Sequence, residues 1–371
     1  MTDAAPALAS QRVAALDGLR GWAALSVVLY HATWESFGVI YPEYRSFVPS
    51  LFGDGGLAVA VFFVLSGYVL TIGRWRRADN PNLLLTLVRR YIRLELPILA
   101  VVLLYLAVVL LGWSQAQIAA PIIQRDDWLS TFDNFVPDLP GAILFATVRV
   151  FWIARSFNYG PFLWTMIVEL IGSVVVLLLS HRARSLWVPL TFLVLFAGLL
   201  LWKFPLAAPF PIGATIALLQ RHGVLFAQLS GVTESRIATT LLFVALMAAA
   251  WVQMTFVSLL PISLVGVVVF LCVLRSSPAQ SFLSNRLSGW LGTLSFSLYL
   301  VHVLVLMTVT SWLIIVLQDA QALNPVSAVG VAATTVIASV AAGWVFLPVE
   351  LATLALIRRI RGPRPRQTAT A

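Results

Sequence analysis

The sequence predicts an all-α fold: a polytopic membrane helical bundle of about ten transmembrane helices plus one re-entrant segment. Three observations predict it. Of 371 residues, 60% are hydrophobic and only 11% are charged, and the mean hydropathy is +0.94, a composition that no water-soluble domain tolerates. Apolar runs of spanning length recur at 16–34, 51–73, 94–112, 161–180, 186–203, 208–220, 237–256, 259–274, 290–317 and 326–357. Basic residues gather at the ends of these runs, so the net charge of +9 reads as a topology signal, and no nucleic-acid partner is expected.

Residues 1–15 form a short lead-in with no small-residue cleavage site after the apolar run that follows, so no removable signal peptide is expected. After the second run come Arg74, Arg76, Arg77, Arg89, Arg90 and Arg93, which places that linker and the N-terminus in the cytoplasm. The loops at 35–50 and 115–138 then lie outside, the second carrying Asp126, Asp127, Asp133 and Asp138. A further run at 139–158 is broken by Pro140, Arg149 and Arg155 and followed by Gly160. If it crossed, His181-Arg-Ala-Arg184 would be external. If it dips in and returns, that cluster, 221–236, 275–286 and the tail with Arg358, Arg359, Arg361, Arg364 and Arg366 are all cytoplasmic. The re-entrant reading satisfies every basic cluster and predicts non-helical backbone in 139–160 buried among helices. Both termini are then cytoplasmic, around one membrane domain at 16–357 and a basic tail at 358–371. There is no internal repeat, which argues against a transporter built from repeated halves. The one cysteine, Cys272, sits in an apolar run, so it reads as a small buried hydrophobe and excludes disulfides and cysteine metal clusters.

The first run, LDGLRGWAALSVVLYHATW, carries Asp17, Arg20 and His31. On a helix all three fall near one face, with Arg20 and His31 about 16 Å apart along the axis. Ionisable groups at membrane depth face a protein interior or a water-filled cavity. Asp17 and Arg20 equally fit a local ion pair, whereas packing gives no reason for the imidazole of His31. The second run holds FFVLSGY, where Ser66 and Gly67 permit the close approach of a helix or of a ligand, and Tyr68 adds a hydroxyl. In RRYIR, Arg89, Arg90 and Arg93 converge on one helical face and suit a polyanion such as a phosphate, or anionic lipid at a topology anchor.

After a turn at Gly160-Pro161, Trp164 and Thr165 open a helix in which Glu169 is a lone carboxylate among apolar residues. It must be protonated or paired, with Arg149, Arg155, Arg20 or a histidine as candidates. In SFSLYLVH, Ser295, Tyr299 and His302 form one stripe and read as a polar channel lining; for His302 an interhelical hydrogen bond is the alternative. Pro348-Val-Glu350 adds a further intramembrane carboxylate. No HExxH, CxxC or Walker loop occurs, so no metal is expected and ATP-driven transport has no support. His181 and His222 lie beside arginines in loops and read as solvated. Trp34, Tyr41, Tyr44 and Trp128 in the outer loops suit stacking on sugars or interface anchoring.

Taken in order, the Arg20-x10-His31 spacing, FFVLSGY, RRYIR, Trp164 followed by TMIVE, and SFSLYLVH resemble the integral membrane acyltransferase-3 family, the O-acyltransferases of bacterial surface sugars. The resemblance covers residues 14 to 351. It implies transfer of an acyl group, ordinarily acetyl, from acetyl-CoA or another acyl-CoA on the cytoplasmic side to a hydroxyl of a carbohydrate or glycolipid acceptor, in a bacterial inner membrane and in contact with its lipid. It implies a catalytic set of His31, Arg20 and Glu169, and beside it Glu169 or Asp17 is expected to orient a protonated partner. Arg90 and Arg93 resemble the arginines that meet the CoA phosphates; Arg89, Ser66 and Tyr68 join them as expected donor-binding residues. Trp164, Thr165, Ser295, Tyr299 and His302 are expected along the substrate channel. Thr165 and Met166 stand where the family pattern has serine and leucine, and the extracytoplasmic hydrolase-like domain fused to some relatives is absent. A transporter or flippase of a polar or glycan substrate is the alternative that the buried Arg, Glu and His leave open.

Overall fold

The computed structural model describes residues 4–75, 82–152, 158–182, 186–224, 231–255 and 258–360. Helix α1 (Ala4–Tyr30) continues through a π-turn at His31–Glu35; α2 (Phe47–Phe52) leads over Gly53 and Asp54 into α3 (Gly55–Trp75) and then α4 (Leu83–Leu110). Short α5 (Ala116–Ile122) and α6 (Leu139–Thr147) precede α7 (Thr165–Arg182), α8 (Trp187–Lys203) and α9 (Pro209–Arg221). Helices α10 (Val232–Thr255), α11 (Leu259–Arg275) and α12 (Ser277–Leu283) follow. Next come α13 (Arg286–Val305), a second π-turn at Leu306–Thr310, α14 (Ser311–Asp319) and α15 (Pro325–Arg359).

The starts are set by side chains that accept the orphan N–H groups of a first turn. Asp54 accepts from Leu57 N at 2.8 Å, Asp138 from Gly141 N at 2.8 Å and Asn285 from Ser288 N at 2.8 Å. Asn324 and Ser327 form a reciprocal capping box on α15. Helices α4 and α15 run on through Pro97 and Pro348.

Among the described residues, six segments are long and apolar enough to cross a bilayer: Val13–Glu35, Phe47–Ile72, Leu83–Leu110, Val232–Thr255, Arg286–Asp319 and Pro325–Arg359. A seventh results if α11 and α12, bent by 93° at Ser276, act as one span. The ten expected crossings are therefore not confirmed. In the run at 161–180 the turn residues 161–164 precede α7, and α8 fills the run at 186–203 with only 17 residues. Helix α9, in the run at 208–220, has 13 residues, about 20 Å against a hydrocarbon core of about 30 Å. The long helices carry apolar side chains outward, among them Val326, Ile337, Trp344 and Val345 on α15 and Phe243, Val244 and Trp251 on α10, all more than half exposed. Surface of that kind and extent faces lipid rather than water, and the protein is an integral membrane protein.

Two close helix contacts organise the bundle. Helices α1 and α13 touch at Gly21 and Gly292, where a Cβ on Gly21 would lie 2.4 Å from the Gly292 nitrogen. Helices α3 and α9 touch at Gly67 and Gly213, where a Cβ on either would come within 1.9 Å of a carbonyl oxygen of the other helix. Small residues let backbones approach where no hydrophobic effect drives helices together. Gly67 therefore serves packing, and leaves Ser66 beside it free to face inward. Cys272 is buried and free.

The expectation of non-helical backbone across 139–160 is not met: the segment begins with α6, where Asp138 caps a regular first turn, and a short 3-10 turn, Arg149–Phe151; Arg155 lies outside the described residues. Residues 158–164 form non-helical turn backbone with Tyr159, Gly160 and Leu163 buried. Tyr159 stacks edge-on against Phe135, and its hydroxyl donates to the Asp138 carbonyl at 3.0 Å. Arg361, Arg364 and Arg366 of the tail, Arg76 and Arg77, and Arg184 likewise lie outside the described residues.

Candidate active site

A cavity of about 420 Å³ opens between α1, α3, α4, α7, α13 and α15. Its polar lining is Asp17, Arg20, Ser66, Arg90, Arg93, Thr165, Glu169, Thr293, Ser295, Tyr299 and Glu350, interleaved with Phe62, Phe63, Met166 and Phe296. Six separate stretches of sequence thus meet in one space. Three arginines and three carboxylates share it, and their pairing decides what each can do.

The three arginines of RRYIR part company. Arg90 points inward, where its Nη2 donates to Glu169 Oε2 at 2.7 Å and its Nε to Ser173 Oγ at 2.7 Å. Glu169 is thereby paired with Arg90, and not with Arg149 or Arg20 as the sequence suggested. Arg89 turns away from the cavity and donates to the carbonyl of Ile360 at the end of α15, satisfying an orphan helix carbonyl. Arg93 lines the cavity and, among the described residues, makes no ion pair or hydrogen bond. A guanidinium at a cavity wall with no protein partner is a ready anion site. Asp17 and Arg20 do form the local ion pair, at 3.3 Å, while both line the cavity. With Asp17 half exposed, that pair is weak and leaves Arg20 available to another anion. Glu350 accepts from the buried hydroxyl of Ser297 at 3.0 Å.

The inner end of the cavity is Tyr299. Its hydroxyl donates to the Phe162 carbonyl, and Thr165 in turn donates to the Tyr299 oxygen at 2.6 Å. One turn further along α13 lies His302, fully buried, with its Nε2 3.2 Å from Nδ1 of His31. Phe162 stacks on both imidazoles, with ring centroids 4.0 Å from His31 and 4.9 Å from His302. Trp128 also lies nearly parallel to His31, with ring centroids 6.0 Å apart. His31 opens the π-turn, a distortion that recurs at functional positions in helices, and the Ser36 hydroxyl donates to its carbonyl at 2.6 Å.

Above the pair, Arg125 clamps the outer segment to α1. Its Nη1 donates to the Glu35 carbonyl at 2.8 Å and pairs with the Glu35 carboxylate, while its Nε reaches Asp127 at 3.0 Å. The Arg125 hydrogen bond holds the Asp127 carboxyl below its ordinary range. The guanidinium lies over Trp128, 5.1 Å from the ring centroid, which fixes Trp128 against His31.

The structure therefore gathers Asp17, Arg20, Ser66, Arg90, Arg93, Thr165, Glu169, Ser295 and Tyr299 at one cavity, and His31 with His302 at a second centre behind Tyr299 and Phe162. It does not bring Arg89, Tyr68 or Trp164 to either. Tyr68 is buried and donates to Gln220 Oε1 at 2.6 Å; Trp164 packs edge-on against Phe63. Trp34 stacks on Tyr30 and under Arg45, and Tyr44 donates to the Pro325 carbonyl. Glu350, Phe162 and Arg125 belong to these centres although the sequence reading gave them no place there. For Glu350 the signal was a carboxylate in an apolar helix. Phe162 carried no signal, because an aromatic residue after a Gly-Pro turn is ordinary.

No curated protein and no solved structure matches the chain. A family model described as an acyltransferase domain matches residues 13–344, a range that takes in the cavity except for Glu350, Leu347, Leu351 and Leu354 and contains the histidine pair whole. Match and geometry together make the chain a membrane acyltransferase, a member of the acyltransferase-3 family.

Proposed function

We propose that the protein transfers an acyl group, ordinarily acetyl, from acyl-CoA to a hydroxyl of a carbohydrate or glycolipid acceptor. The observation that carries this reading is the lining of the cavity: an unpartnered Arg93 and a weakly held Arg20 lead inward to Tyr299, behind which stands His31. The cavity lies at the end of the bundle where Arg89 meets Ile360, the end that also carries Arg286, Arg358 and Arg359. Positive residues favour the cytoplasmic side, so both termini and the donor entrance are cytoplasmic, in a bacterial inner membrane with its lipid around the long helices.

Arg93 and Arg20 bind the CoA phosphates. Eleven residues of helix separate Arg20 from His31, about 16 Å, so Arg20 serves the donor's charge and not the thioester oxygen. His31 takes the proton from the acceptor hydroxyl as the oxygen attacks the thioester carbonyl. The C–S bond breaks, and the imidazolium returns its proton to the leaving thiolate, so atoms and charge balance. Tyr299, Thr165 and Phe162 stand between donor cavity and His31 and must yield to the acyl arm. The acceptor comes from the outer side, past Trp128 and Arg125.

Purified protein in lipid nanodiscs, given radiolabelled acetyl-CoA and an extract of cell-envelope glycans, tests the reading. Label should enter an alkali-labile ester, and His31→Ala should abolish it at normal expression. Wild-type transfer by His31→Ala ends the proposed role of His31. CoA binding without transfer, together with movement of a glycan across the bilayer, would establish the flippase alternative instead.

A further inference from the structure

We infer that His302 is a positioning residue, which fixes the tautomer of His31 so that Nε2 of His31 is the basic nitrogen. The inference rests on the reading of His31 as the base in acyl transfer, but its geometry can be tested apart from it. Nδ1 of His302 lies 2.7 Å from the carbonyl oxygen of Tyr299. A carbonyl oxygen only accepts, so Nδ1 carries the proton of the neutral ring. Nε2 of His302 is then a lone pair, and it faces Nδ1 of His31 at 3.2 Å. That contact is a hydrogen bond only when Nδ1 of His31 holds its proton, which leaves the lone pair of His31 on Nε2. With the proton on Nε2 of His31, two lone pairs would face each other between buried side chains, an unfavourable arrangement.

The ring planes permit no easy escape from this assignment. Phe162 is within 19° of parallel to His31 and within 9° of parallel to His302, and Trp128 is within 16° of parallel to His31 on its other contact. Stacked on these faces, the imidazoles keep the edges they present to each other. When Nε2 of His31 takes a proton from a hydroxyl, the resulting imidazolium still donates from Nδ1 to Nε2 of His302. His302 remains neutral and anchored on the Tyr299 carbonyl. The charged group that faces the pair from the outer segment is Arg125, itself held by Glu35 and Asp127. The logic is that of a second residue orienting a catalytic imidazole, with a neutral acceptor in place of a carboxylate.

Nitrogen-15 NMR of the full-length, histidine-labelled protein without substrates reads the assignment. The chain has 4 histidines, and His31→Gln identifies the signals of His31 by difference. Wild type should show His31 protonated on Nδ1. His302→Phe should let the proton move to Nε2, the position neutral imidazole prefers in water, and should lower kcat on the order of 100-fold with KM for acyl-CoA unchanged. His302→Gln, whose amide oxygen can accept from His31, should restore the Nδ1 signal and recover at least about tenfold of the lost rate. Wild-type His31 protonated on Nε2 overturns the inference without any variant, as does a His302→Phe protein with unchanged spectrum and kcat. If His302→Phe does not fold, the wild-type spectrum and His302→Gln decide. A protein that shows the Nδ1 signal but transfers no acyl group would refute the proposed function and leave the pair geometry standing.

Discussion

Breaking the Arg90–Glu169 pair separates what holds the cavity open from what binds in it. Both side chains are less than a fifth exposed, and the Arg90 fork spends two different N–H groups on Glu169 and Ser173 at 2.7 Å each. At an effective dielectric of 20, unit charges at such a separation attract by about 4 kcal/mol, and removing one partner of a buried pair costs about 3–5 kcal/mol because the other is left uncompensated. Glu169→Gln should therefore destabilise the protein by about 3 kcal/mol, and Arg90→Leu by about as much. The double variant Arg90→Leu/Glu169→Leu should fall short of the sum by about 3 kcal/mol, since neither charge is then stranded. Arg90→Lys should not substitute, because an ammonium lacks the planar fork that reaches both partners. The assay is a double-mutant cycle on reversible denaturation in mixed micelles. Additivity within about 0.5 kcal/mol would refute the claim that these side chains act as one buried unit.

Arg93→Ala, which removes the unpartnered guanidinium, should raise KM for acyl-CoA about tenfold at unchanged thermal stability; an unchanged KM would remove Arg93 from the donor site. Gly21→Val forces a side chain into the α1–α13 contact and should cost about 1–3 kcal/mol, whereas Gly198→Ala on α8, with nothing within 4 Å of the new Cβ, should be neutral or better; equal effects in thermal denaturation would refute the close-contact argument. The Asp127 carboxyl is held below its ordinary range by Arg125, so its share of the outer clamp is complete above the usual carboxylate pKa of about 3.9 and is lost as pH falls through the lowered value. Protection factors of residues 124–132, taken against unstructured-peptide exchange rates at each pH, should accordingly stay high at neutral pH and fall only in acid, and Arg125→Gln should lower them throughout; a wild-type fall in protection between pH 6 and 8 would contradict the assignment.

Much of this site was legible in the chain because charge in hydrocarbon is costly. Asp17, Arg20, Arg90, Arg93 and Glu169 stand out in apolar runs, and all five line the cavity. The stripe Ser295, Tyr299, His302 is visible in the sequence as one face of α13, since helical periodicity is local. What the stripe could not reveal is that Tyr299 closes the cavity and leaves His302 on the other side with His31. Ten crossings are not confirmed because hydropathy marks apolar runs but not the length of the helix each one forms: α8 and α9, in the runs at 186–203 and 208–220, have 17 and 13 residues.

The sequence by itself determined that this is a helical membrane protein, which helices carry polar faces, and that its motifs are those of an acyltransferase. The first two follow from composition, period and local spacing, and the third from the resemblance of the motifs to the acyltransferase-3 family. Only the tertiary structure decided the partnerships. Arg89, Arg90 and Arg93 sit within one and a half turns of one helix, yet one caps α15, one pairs with α7 and one lines the cavity without an ion pair or hydrogen bond among the described residues. His31 and His302, 271 positions apart, meet because Gly21 and Gly292 let α1 and α13 pack closely enough for one imidazole to orient the other.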